Sequence, residues 1–201
     1  TKAGKLTTLN NDAIFASAIN ITGGDAAAED SILGLHESIG DANSLTAIVL
    51  TDLAGDAELN ILTASSIFGT IDGTAGTAGT GASEIDVDAA LIVTGNVGSN
   101  NVIELLSVGD TTTLKGAANT ITSINFTADD ILATGGAVDQ TVTGTIINGT
   151  LEHGEVNNTN VAGTVTFAST IGTSAKRVKE IDLADNADTT FNAAIFANTL
   201  D

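Results

Sequence analysis

Apolar residues along this chain fall in short alternating runs separated by polar, turn-forming residues. Thr120–Phe126 (TITSINF), Thr141–Ile147 (TVTGTII) and Val161–Phe167 (VAGTVTF) alternate with a period of two, as expected of strands with one buried side. Gly, Asn and Asp fill the intervals: Gly reaches positive φ without steric cost, and the short side chains of Asn and Asp bond the nearby backbone. Only Ala26–His36 and Ser174–Glu180 suggest helix, and both are short and weakly patterned. The expectation is an all-β chain.

The runs also recur. Ile171–Leu200 reads as the clearest copy of a unit, with further copies over 39–67 and 97–121 and a partial copy over 7–19. An apolar residue and a glycine open each full copy, then come a strand, an acidic or Gly-Asp turn, and a second strand. The opening glycines, Gly40, Gly98 and Gly172, lie 58 and 74 residues apart (98 − 40 and 172 − 98), too unequal for a strict short-period repeat. A single β-solenoid segment over residues 1–201, with irregular inserted loops, accommodates this. The insertions are expected at Asp72–Ser83, which contains GTAGTAGTG, and at the polar stretch Asn148–Gly163.

Composition narrows the architecture. Six Phe are the only aromatic residues, and Pro, Cys, Met, Trp and Tyr are absent. The core must therefore be Ile, Val, Leu and Ala, which suits a narrow interior where like side chains stack from coil to coil. We expect a right-handed β-helix, with a β-sandwich as the alternative.

Charge narrows the partners. The formal net charge is −19, from 25 acidic and 6 basic residues. No basic stripe exists to neutralise phosphates, so nucleic acid and anionic lipid surfaces are unfavourable partners. No apolar run approaches the roughly 18 residues of a membrane helix, so direct membrane insertion is not expected. The chain starts at Thr1 without an initiator Met, which reads as a processed or excised end.

The phrases GTVTFASTIGT (Gly163–Thr173), TTFNAAIFANTL (Thr189–Leu200) and ITSINFTADDILATGGAV (Ile121–Val138) resemble the passenger repeats of rickettsial-type outer-membrane surface antigens. Those are large autotransporters whose B-type protein forms a surface layer and aids adhesion. The resemblance is one of cadence and composition over most of the chain, and no translocator barrel is present. It implies a secreted, surface-retained β-helical segment and supplies no catalytic motif.

Candidate chemistry is sparse. Glu84, Asp86 and Asp88 alternate in EIDVD, so a strand would place three carboxylates on one side, where Ca²⁺ could find oxygen ligands. A solvated strand face over buried Ile85 and Val87 explains the same pattern and is preferred. His36 and His153 are expected to be exposed, and two isolated histidines do not make a zinc site. The basic cluster Lys176, Arg177 and Lys179 is expected to pair with nearby acids or a neighbouring molecule. Thr141, Thr143 and Thr145 could order water only if the motif recurred in consecutive coils, and that regularity is missing.

These observations lead us to expect a non-enzymatic, extracellular structural or adhesive segment of a bacterial surface layer or fibre. It would self-associate through its solenoid ends or loops, and host surfaces or glycans are further expected partners. The rival expectation is a β-helical polysaccharide-degrading enzyme or carbohydrate-binding module. Such sites need carboxylates combined with basic and aromatic groups that hold sugar, and both of the latter are scarce.

Overall fold

The computed structural model describes residues 5–9, 14–24, 26, 29–74, 82–136, 138–148, 152–185 and 187–201. Among them there is no helix, and every ladder between strands is parallel. The chain winds as a β-solenoid of about seven turns, each turn crossing three faces. A β-sandwich is excluded, because its sheets are antiparallel.

The first face stacks Lys5–Leu9, Ser31–Leu35, Ala57–Ile61, Ser83–Val87 and Ile103–Val108. It continues in the second halves of two nine-residue strands, Ala118–Phe126 and Gln140–Asn148. The second face begins as single bridges at Ile14 and Ile39 and widens through Ser65–Ile67 and Leu91–Val93 to His153–Asn158 and Val178–Leu183. The third face holds Ala18–Thr22, Thr46–Thr51 and Gly69–Gly73, then the first halves of the long strands, then Thr164–Phe167 and Asp188–Phe191. The long strands turn from third to first face where their register shifts, between Thr120 and Ser123, opposite Gly144.

Inward side chains form columns, most of them aliphatic. On the first face Leu33, Leu59, Ile85, Leu106, Ile124, Ile146, Ile171 and Ile195 stack in sequence. The third-face column runs Ile19, Ile48, Ile71, Val97, Asn119, Val142, Phe167 and Phe191. Parallel in-register pairing sets stacked side chains about 4.8 Å apart, so β-branched and leucine residues meet copies of their own shape. Phe167 and Phe191 close the third-face column with stacked rings, 5.5 Å between centroids.

The coil length varies, and this explains the unequal spacing of the repeats. Leu33 to Leu59 is 26 residues (59 − 33), whereas Leu106 to Ile124 is 18 (124 − 106) and Ile146 to Ile171 is 25 (171 − 146). Each full copy seen in the sequence is about one coil, since Ile39 stacks on Ile67, Val97 on Asn119 and Ile171 on Ile195. The copies nevertheless open on different faces: Ile39 on the second, Val97 on the third, Ile171 on the first. What they share is a corner. Gly40, Gly98 and Gly172 have φ of 71°, 68° and 69°, a left-handed conformation that favours glycine. Each donates its N–H to the carbonyl one coil earlier, at Ile14, Ile71 and Ile146 respectively. The repeated phrase therefore encodes a turn usable at any of the three corners rather than a fixed phase of the coil. The partial copy over 7–19 is displaced in the same way: Ile19 belongs to the third face and its counterpart Leu200 to the second.

Polar residues at the corners replace ladder bonds that the turning backbone loses. Short side chains just before a strand accept the N–H of the residue stacked on them in the next coil. Ser38 does so for Ser66, Asp30 for Asp56, Asp56 for Ala82, Asn96 for Ala118 and Asp139 for Thr164, over 2.8–3.1 Å. Threonines just after a strand do the converse. In Thr74, Thr94, Thr127 and Thr159 the N–H and the hydroxyl both donate to one carbonyl of the preceding coil. These Asp, Asn and Thr side chains are thus committed to holding corners, because buried backbone groups must be paired.

Three local expectations are corrected. Ala26–His36 holds the strand Ser31–Leu35 in place of a helix. Ser174–Glu180 holds the end of a Thr173–Lys176 turn and the start of Val178–Leu183. Asn148–Gly163 is not loop throughout: beyond residues 149–151, which lie outside the described residues, it contains His153–Asn158, one of the widest strands of the second face, because Val156 and Asn158 fill inward columns there. Of the other expected insertion, residues 75–81 lie outside the described residues.

Candidate functional site

The alternation in EIDVD does place Ile85 and Val87 in the core and Glu84 and Asp86 outward on the first face, with exposed Asp88 just past the strand. Successive outward positions on one strand are about 6.6–6.8 Å apart. Ca²⁺ holds its oxygens at roughly 2.3–2.6 Å, so three carboxylates in a line do not converge on one ion. Among the described residues no group of three or more His, Cys, Asp or Glu is arranged to hold a metal. Across the sheet, Glu84 stands beside Glu58, and Asp86 lies between Asn60 and Ser107.

Partial burial raises the Asp86 carboxyl above its ordinary range, the Asp88 charge adds to this, and a hydrogen bond from the Val87 backbone opposes it. A carboxyl with a raised folded-state pKa opposes folding when ionised and ceases to do so below its unfolded value, 3.8. Asp86→Asn should therefore raise the melting temperature at pH 7, and the advantage should vanish near pH 3. Thermal scans of both proteins at the two pH values test this; an equal gain at both would point to packing instead of charge.

On the second face a chain of charges crosses three coils. The Asp129 carboxylate accepts a hydrogen bond from Lys179 Nζ at 3.1 Å and lies 3.5 Å from His153 Nδ1. The Lys179 hydrogen bond holds Asp129 below the usual carboxylate range and raises Lys179 in turn. Next to it, burial and the charges of Glu155, Asp201 and Asp182 push Glu180 upward. These groups are half-buried or exposed around an open surface, and no nucleophile joins them. His36 and His153 are both half-buried rather than exposed. The set is invisible to motif reading because its members are 24 and 26 residues apart (153 − 129 and 179 − 153). That spacing is one coil each way, so the coil length is the signal that would have found it.

Other concave surfaces are shallow or terminal. A hollow of about 270 Å³ at the first coils is lined by Leu9, Ile19, Ile21 and Leu33, the beginning of the core itself. At the opposite end Phe191 and Ile195 are half-buried and Leu200 is 59% exposed. The core columns thus run from the first described coil to the last. Thr141, Thr143 and Thr145 do not form one row: the first two face outward on the third face, and Thr145 lies past the corner on the first. Among the described residues no helix is long and apolar enough to cross a membrane. Comparison with known proteins adds no relative: no family model, no curated protein and no solved structure matches the chain.

Proposed function

We propose that this chain is a structural segment of a secreted bacterial surface protein, lengthened into a layer or fibre by contacts between copies at the solenoid ends. The observation that carries the reading is the set of in-register core columns, which run unbroken from Leu33 to Ile195 on the first face and from Ile19 to Phe191 on the third. Coils stacked in this way draw their stability from neighbouring coils, and a parallel strand edge templates further pairing. The surface assignment rests on the composition and on the resemblance of Gly163–Thr173 and Thr189–Leu200 to surface-antigen repeats.

Sedimentation velocity and negative-stain imaging over a concentration series test this. Growing rods or sheets are expected, and Ile195→Glu, which puts a charge on the last coil, should shorten them. A monomer at every concentration that cleaves or binds polysaccharide would replace this reading with the β-helical enzyme or carbohydrate-binding module. Repeating the series with Ca²⁺ and with chelator isolates any cation dependence.

A further inference from the structure

Coils of a solenoid hold mainly their neighbours, so stability is close to a sum over adjacent pairs. The corner bonds of this chain keep to that pattern. Ser38, Asp30, Asp56, Asn96 and Asp139 each reach a residue 22 to 28 positions on, which is one coil. Lys179 departs from it. Its Nζ donates to Asp129 Oδ2 at 3.1 Å across 50 residues. Asp129 stands just before Ile131–Thr134 and Lys179 within Val178–Leu183, and His153–Asn158 runs between those two strands. The partners are therefore two strand steps apart, about 9.6 Å of sheet, which an extended lysine and an aspartate together span.

The backbone under this contact is irregular in both later strands. Val178 and Ile181 are both inward, and the two residues between them, Lys179 and Glu180, both lie outside the core. Strict alternation allows only one, and an extra residue of this kind re-aims a side chain, as a β-bulge does. In the middle coil Glu152 and Gly154 flank His153 at φ 61° and 74°, and a non-glycine residue is uncommon there. His153 Nδ1 lies 3.5 Å from the same carboxylate. The departures from regular strand thus fall beside the two residues that meet Asp129.

We propose that the Lys179–Asp129 pair is a releasable strap, tying the coil of Val178–Leu183 to that of Ile131–Thr134 over the coil between them. With the strap closed these coils open together; with it released the outer coil opens without the others. Other charges stand close by: Asp130 beside Asp129, Glu152 and Glu155 around His153, and Lys176, Arg177 and Glu180 around Lys179. Glu155 and Glu180 also attract Lys179, but the hydrogen bond to Asp129 acts on it most strongly. Both strap side chains are about half exposed, at 50% and 53%, so dissolved salt screens the pair. Acid releases it too. The Lys179 hydrogen bond holds the Asp129 carboxyl below its ordinary value, 3.8. Its contribution is therefore complete above that value and is lost as pH falls through the lower folded one.

Hydrogen exchange on the full chain at neutral pH and low salt tests the coupling, with circular dichroism confirming the fold of each variant. Lys179→Met keeps the stem without the charge, and Asp129→Asn keeps the shape without the charge. Each should speed exchange of the Val178–Leu183 amides by about two- to fivefold, the scale of an exposed ion pair. The Asp129 result decides most, because that residue lies two coils away. The double variant should exchange no faster than either single one, since both remove the same contact. At about 0.5 M salt the differences should shrink toward none. Amides of the remote strand Ala57–Ile61 should not change; faster exchange there would mean general destabilisation and count against the strap. Val178–Leu183 exchange untouched by Asp129→Asn, effects that add in the double variant, or differences that persist in full at high salt would overturn the inference.

Discussion

Gly154→Ala is expected to destabilise the solenoid by about 2–5 kcal/mol, from two sources that add at one atom. Gly154 sits within His153–Asn158 at φ +74°, and a side chain in the left-handed region costs about 1–2 kcal/mol. A Cβ there would also lie 2.2 Å from Cγ and 2.3 Å from Cδ2 of Phe126. Phe126 is 1% exposed and belongs to the first-face core, so its ring cannot swing into solvent, and forced overpacking typically costs about 1–3 kcal/mol. The clash can be isolated. In a Phe126→Leu background only the backbone cost should remain, so the two substitutions should be markedly non-additive. Urea unfolding of the four proteins of this cycle measures the coupling; strict additivity would mean the ring is not what Gly154 accommodates. Because coils contact only their neighbours, hydrogen exchange should rise first in the strands flanking Gly154.

Asn160→Leu should cost a similar amount, about 3–5 kcal/mol, without any change of backbone. Asn160 is completely buried at the corner between the second and third faces. Its Nδ2 donates to the Val138 carbonyl at 2.7 Å and to Gln140 Oε1 at 3.1 Å, and its Oδ1 accepts from the Ala162 N–H at 3.0 Å. Gln140 Nε2 in turn donates to the carbonyls of Leu114 and Gly116, and Asn119 Nδ2 also donates to that of Gly116. Leucine keeps the branched outline of asparagine, with bulkier methyl groups, but strands these groups without water, at about 1–3 kcal/mol each. The expected result in chemical denaturation is a fall in midpoint with the folded-state circular dichroism unchanged. A loss under about 1 kcal/mol would mean that the corner can repack or admit water.

The two positions also mark how far each level of description reaches. Alternation in TITSINF and TVTGTII was enough to anticipate strands, since one buried side and one outward side demand it. The β-helix was legible too, because a chain with only six Phe and abundant Ile, Val and Thr suits a narrow, stacked interior. The widening of the second face was not legible. His153–Asn158 looks like a polar loop until Val156 and Asn158 are seen filling columns begun by Leu132 and Thr134. The two helical candidates failed for the same reason: partners one coil away outweigh weak local propensity.

The candidate site divides likewise. That Glu84 and Asp86 share a side of their strand follows from period two alone. That they do not converge on a cation depends on the straightness of the strand and on what stands beside it. The Asp129–His153–Lys179 chain exists only once the coil register is known.

The sequence by itself determined that this is an all-β, acidic, cysteine-free chain of stacked parallel coils with glycine corners, because alternation, composition and local turn chemistry are properties of neighbouring residues. Only the tertiary structure decided which corner each repeat occupies, which asparagines and aspartates hold the turns, and which charges meet across coils. Coils of 18 to 29 residues (124 − 106 and 48 − 19) bring together groups whose spacing no fixed period predicts, and stacking across coils, rather than order along the chain, sets their surroundings.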